Sequence, residues 1–147
     1  MRRGFSAMTL ILLLVLAVFA VPAPAAEPQD SLNAFLGQLP QDFETIAGKT
    51  LSAKLNSGET ITVVDVREPD EFKAGHIDGA VNVPIRSLAK DLSQLPKDKA
   101  APIAVVCKSG IRAAYGTMTL KMLGYASVKD VVGGMLAWEK DGLPITK

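Results

Sequence analysis

The sequence predicts an α/β domain with a central parallel β-sheet of about five strands and helices on both faces. Three observations carry the prediction. Short apolar runs rich in β-branched residues recur along the chain, as at 61–66 (ITVVDV) and 102–106, and strands buried on both faces read this way. Segments with helical spacing of apolar residues lie between these runs. Glycine or proline marks most of the junctions. Alternation of this kind implies parallel strands joined by crossover helices.

The elements follow in order. Arg2 and Arg3 open the chain, residues 9–21 are almost wholly apolar, and Ala23-Pro24-Ala25 supplies small residues. This is the layout of a secretory leader over 1–25, with cleavage expected before Ala26. The apolar run is shorter than the ~20 residues a membrane-spanning helix needs, so no stable membrane insertion is expected after cleavage. Residues 26–44 form an N-terminal extension with a small amphipathic patch (Leu32, Phe35, Leu36, Leu39), either a capping helix or a tether. The domain proper is expected over 45–147. Within it, Thr50 reads as the N-cap of a helix over 51–56 that stops at Gly58. A strand covers 61–66, a short helix 68–74 ends at Gly75, and a second strand over 80–83 stops at Pro84. Leu88, Leu92 and Leu95 have helical spacing over 87–95. A third strand covers 102–106, and a helix over 111–123 carries Ala114, Met118 and Met122 on one face, with Gly124 as its stop. A last strand at 127–132 runs through Gly133-Gly134 into a helix over 135–140.

Composition excludes some classes of partner. The whole chain has a formal charge of +1, and removing a leader that holds two arginines and no acid leaves −1. That balance points to neither nucleic acid nor an anionic membrane. One cysteine and one histidine are too few soft ligands for a dedicated zinc or copper site, and no cofactor is expected. Exported proteins mostly hold their cysteines as disulfides, and a lone one cannot form an internal bridge. It is inert, paired with another molecule, or reactive.

Cys107 is that residue, and its surroundings favour reactivity. It ends an apolar strand and opens the segment Cys107-Lys108-Ser109-Gly110-Ile111-Arg112, after which a helix starts. Free cysteine often packs as a small hydrophobe, but a core position does not need Lys, Ser, Gly and Arg directly after it. Loop N–H groups, a helix N-terminus and two cations hold negative charge where a thiolate would sit. In open parallel sheets, ligands bind beyond the carboxyl ends of the strands. Cys107 lies at such an end, and so do Asp65 and Arg67.

These segments resemble the rhodanese family of sulfurtransferases. Asp65-Val66-Arg67-Glu68, Glu71-Phe72 and the run Gly75-His76-Ile77-Asp78-Gly79-Ala80-Val81-Asn82-Val83-Pro84 look like its first signature. The segment 107–112 resembles its active-site loop, C-x-x-G-x-R. Gly124-Tyr125, then Val131-Val132-Gly133-Gly134 with Ala137 and Trp138, resemble its last signature. The likeness spans about 45–145 and implies a single-domain, exported sulfurtransferase. The family's reaction would have Cys107 take the outer sulfur of thiosulfate or a similar donor, and a thiophilic acceptor such as cyanide or a thiol then remove it. N–H groups from Lys108 to Arg112, with Ser109, Gly110 and Ile111 between, would cradle the persulfide. Arg112 would bind the anionic part of the donor or brace the loop, and Lys108 would favour an anionic donor. His76 reads as a buried structural residue bonded to a partner such as Asp65, and Asp65 and Arg67 as a polar network rather than acid–base catalysts. Trp138 reads as core.

Two other functions fit parts of the pattern. Cysteine phosphatases and arsenate reductases place five residues between cysteine and arginine, which makes room for a tetrahedral oxyanion; here there are four. A persulfide carrier or interaction module serving a protein partner would use the same Cys107 and differ only in what it meets. The sequence leaves oligomeric state open.

Overall fold

The protein is described here from a computed structural model, over residues 28–147. The expected leader and its cleavage site lie outside these residues. The chain divides into one unit ending at Gly37 and a second over Gln38–Lys147. In the first, α1 (Pro28–Gly37) is a helix with no buried residue.

The second unit is built on a five-stranded sheet in which every neighbouring pair is parallel. Its strands are β1 (Thr45–Ile46), β2 (Thr62–Asp65), β3 (Val81–Asn82), β4 (Ile103–Val106) and β5 (Val128–Val131), in the order β1-β5-β4-β2-β3. The helices are α2 (Gly48–Asn56), α3 (Pro69–Ala74), α4 (Ile111–Met122) and α5 (Gly134–Lys140). This is the α/β architecture the sequence predicts.

Alternation along the strands divides the core in two. Val64, Val66, Ile103, Val105 and Val128 face a cluster completed by Ala113 and Leu120 of α4 and by Leu88 and Leu95. Val63, Ala104, Val106 and Val131 face the other cluster, with Leu51 of α2 and Met135 and Trp138 of α5. Trp138 is buried, and its indole N–H donates to the Pro144 carbonyl at 2.8 Å. The unit also takes in residues before 45. Lys121 bonds the Glu44 carboxylate, and Lys129 bonds both Asp42 and Glu44.

Three local expectations are corrected, and one strand is added. The second helix begins at Gly48 with Ala47 as its N-cap, not at Thr50. Packing sets that start, because a Cβ on Gly48 would lie 3.4 Å from the Trp138 ring. Residues 87–95 form successive turns rather than a helix. Ser87 N–H bonds Pro84 O, Lys90 N–H bonds Ser87 O, and the Asp91 carboxylate takes the N–H of Ser93. The leucines still bury, so their spacing reports the core they face and not the backbone that carries them. On α4 the inward face is Ala113, Gly116, Thr117 and Leu120, while Ala114 and Met122 are exposed. Gly116 leads this face because Val105 is so near: a Cβ there would lie 3.1 Å from Val105 Cγ1. Finally, β1 has no signal in the sequence. It exists through its partner, with Asp130 N–H donating to Glu44 O at 2.7 Å and Val132 N–H to Ile46 O at 3.0 Å.

Candidate active site

Cys107 follows β4 at the carboxyl edge of the sheet and is 1 % exposed. Its Sγ accepts the N–H of Gly110 at 3.2 Å and of Ala113 at 3.4 Å. The loop therefore curls around its own sulfur. Gly110 makes the curl possible. It has φ +97°, a left-handed conformation that glycine adopts without strain, and its α-carbon faces Gly133 N, 3.4 Å from where a Cβ would be. Among the expected cradle donors only Gly110 reaches the sulfur, and Ala113, one residue past the predicted loop, is the second. Ile111 and Arg112 open α4, so their N–H groups belong to the set that has no partner within the helix. N–H groups aimed at one point form an anion-holding nest.

The loop is fixed from outside by α5. Met135 N–H donates to Cys107 O at 2.8 Å and Leu136 N–H to Lys108 O at 3.0 Å. So close an approach needs glycine at 134, since a Cβ there would collide with the Cys107 carbonyl oxygen and lie 2.8 Å from the Lys108 carbonyl.

Arg112 turns away from the role of free donor-binding cation. Its guanidinium grips Glu71 with two bonds, Nη1 to Oε2 at 2.7 Å and Nη2 to Oε1 at 2.8 Å. The Arg112 guanidinium holds the Glu71 carboxyl down at about 2. Glu71 in turn raises the affinity of Arg112 for its proton, with a further contribution from Cys107. The pair stays ionised through the neutral range. Lys108 and Ser109 are exposed, as is Ile111, leaving Lys108 as the cation in the loop without an ion-pair partner among the described residues.

Asp65 and Arg67 position the other half of this brace. Asp65 is fully buried. It accepts the N–H of Arg67 at 2.9 Å and a fork from the guanidinium, whose Nη2 also donates to Gly75 O at 2.7 Å. Asn82 donates to the carbonyls of both residues. The network ties the end of β2 to the end of α3, the helix that carries Glu71. A reciprocal capping box between Glu68 and Glu71 starts that helix. His76 is half-buried and bonds the Phe72 carbonyl through Nδ1 at 3.0 Å, with its ring stacked on Phe72 at 3.8 Å. Its expected partner, Asp65, is occupied by Arg67 instead. Among the described residues no cluster of His, Cys, Asp and Glu could hold a metal ion.

Two residues of the site escape a sequence reading. Glu71 lies 41 positions before its partner. Its capping spacing from Glu68 is legible, but the arginine it meets is not. Asp130 on β5 lies under the loop, its Oδ2 3.9 Å from where a Gly110 Cβ would be, and nothing in the pattern around it marks it.

Fold and loop together define a parallel α/β domain whose lone cysteine sits in a short N–H cradle at the carboxyl edge of the sheet. The chain belongs to the rhodanese-like domain family, whose pattern matches residues 48–141. It is 34 % identical over 100 residues to a sulfurtransferase of Allochromatium vinosum, covering 68 % of this chain and 92 % of that protein. It is 41 % identical over 91 residues to the chloroplastic thiosulfate sulfurtransferase 16 of Arabidopsis thaliana, covering 55 % and 76 %. Other curated relatives are longer, and the chain spans 26 % of one and 56 % of another. Among solved structures, a rhodanese-related protein of Thermoplasma volcanium superposes with a TM-score of 0.62 at 33 % identity, covering 70 % of this chain and 97 % of that one.

Proposed function

We propose that this protein is a thiosulfate sulfurtransferase working through a Cys107 persulfide. The observation that carries the reading is the Cys107 sulfur, almost wholly enclosed and met by two backbone N–H groups. A cradle this tight suits one added sulfur atom better than a tetrahedral oxyanion. In the first half-reaction the thiolate attacks the outer sulfur of thiosulfate. The S–S bond breaks, sulfite leaves with the electron pair, and Cys107 holds an anionic persulfide. In the second, cyanide or a thiolate attacks the terminal sulfur, and the Cys107 thiolate departs as leaving group. No proton transfer by a side chain is required, in keeping with His76 being engaged with Phe72. The similarity to a protein named for thiosulfate supports that donor. The basic, apolar and small-residue order of 1–25 supports export, hence a small periplasmic enzyme of the phage shock protein E type if the source is a Gram-negative bacterium.

Intact mass tests the cycle. The mature protein is expected to gain one sulfur atom with thiosulfate and lose it to cyanide, and the Cys107→Ser variant to gain none. A chain that stays unloaded by thiosulfate but takes sulfur from a persulfide donor would be a carrier instead.

Lys108 supplies the loop's free charge, because Arg112 is committed to Glu71. Lys108→Ala is expected to raise the KM for thiosulfate about three- to tenfold, the range of a single exposed cation on an anionic ligand, with the capacity to hold sulfur intact. An unchanged KM in steady-state assays would remove Lys108 from donor binding.

A further inference from the structure

Asp130 is the titratable group at this site that the sulfur chemistry above does not use. It lies on β5 in register with Val105 of β4. By strand alternation its side chain lies on the same side of the sheet as Val128, the side covered by α4. Oδ1 is buried without a hydrogen-bond partner. A second orphan lies on the element that covers it. Thr117 Oγ1, on the inward face of α4, is also buried and unbonded, and its neighbour Gly116 packs on Val105, the register partner of Asp130. Buried polar atoms are nearly always paired, so two orphans on facing elements call for a reason. Gly110 stands between this carboxyl and the reactive sulfur: its N–H donates to Cys107 Sγ, and its α-carbon faces Asp130 Oδ2.

We propose that Asp130 is a positioning residue for the sulfur site, its carboxyl under Gly110 setting by its charge how readily Cys107 carries an anion. An ionised Asp130 opposes both anions of the cycle, thiolate and persulfide; a protonated one does not. Burial pushes its carboxyl up to about 6. The other charges around it are committed or face away. On α4, Arg112 is paired with Glu71 and Lys121 with Glu44. Lys129 on the same strand, one position away and so on the opposite face, is paired with Asp42 and Glu44. Tyr115 is exposed and Tyr125 lies under Lys99. Lys108 is exposed on the loop, and Glu139 and Lys140 are exposed at the far end of α5.

The proposal rests on Cys107 as nucleophile and not on any sulfur donor, so its test reads the thiol alone. Alkylation by iodoacetamide, which needs the thiolate, is followed against pH in the parent and in Asp130→Asn. The variant's midpoint is expected about half to one pH unit lower, with alkylation about three- to tenfold faster below the midpoint. An unmoved midpoint overturns the proposal while leaving sulfur transfer in place. A lowered midpoint in a protein that takes sulfur from no donor upholds it and removes the transferase reading. If the variant does not fold, the parent decides. Followed by carbon-13 NMR, the Asp130 carboxyl is expected to titrate at higher pH when Cys107 carries an anionic carboxymethyl group than when it carries a neutral carboxamidomethyl group. Equal midpoints overturn the coupling.

Discussion

Replacing Arg67 by alanine is expected to destabilise the domain by about 3–5 kcal/mol, the cost of stranding one member of a buried ion pair. Asp65 is fully buried, and among the described residues every hydrogen bond to its carboxylate comes from Arg67. Without the guanidinium the carboxylate keeps one backbone N–H and no counter-charge. In a domain of this size such a loss lowers the melting temperature by roughly 10–30 °C. The effect reaches the active site by a defined route. Arg67 also holds Gly75 O at the end of α3, and α3 carries the carboxylate that clamps Arg112. Thermal melts and thiosulfate loading should therefore fail together. The double change Asp65→Leu with Arg67→Met is expected to recover part of the stability, since a buried pair adds little over apolar packing of similar volume. A melting temperature within a few degrees of the parent in the single variant would show that Asp65 finds solvent or another partner.

Gly134→Ala is expected to damage the site more selectively. The residue has φ +56°, and an alanine Cβ would collide with the Cys107 carbonyl oxygen. The left-handed conformation alone costs a non-glycine residue about 1–2 kcal/mol, and the collision forces α5 off the loop. The N–H groups of Met135 and Leu136 then lose the Cys107 and Lys108 carbonyls. Sulfur loading is expected to fall at least about tenfold, the loss typical of a catalytic group held out of place by a fraction of an ångström to one ångström. Circular dichroism separates this from general unfolding, and mass spectrometry reads the loading. Parental loading in a folded variant would show the α5 contact to be dispensable.

What the sequence makes legible, and what it hides, follows from the range of the interactions. β2 and β4 announce themselves because strands covered on both faces carry runs of β-branched apolar residues, whereas β5 is marked only by its two valines, with Lys129 and Asp130 between them. The loop 107–112 is legible because its contacts are local: the atoms that hold the sulfur belong to residues three and six positions after it. Leu88, Leu92 and Leu95 show the limit of periodicity, because a chain of turns can present leucines to a core as a helix does. Proline at 84 and the Asp91 carboxylate bonded to Ser93 favour the turns. On α4, Met122 looks like core by its chemistry but lies outside, since Val105 comes so near the helix that only small residues fit facing it. For Arg112 the sequence leaves two roles open, loop brace and donor ligand. Which of these holds depends on Glu71, and no local pattern pairs a helix-capping carboxylate with a residue 41 positions away.

The dependence of the loop on α5 also bears on when the site is assembled. The carbonyls of Cys107 and Lys108 are held by residues 135 and 136, and the strand before them, β5, is itself completed by β1 from the opposite end of the domain. Contacts so distant along the chain carry a loop-closure cost before they stabilise anything. A chain not yet made past residue 134 therefore lacks the two N–H groups that hold the Cys107 and Lys108 carbonyls in place. Under the proposed function the sulfur site is complete only once the last helix docks, so the C-terminal end of the chain acts as its on-switch.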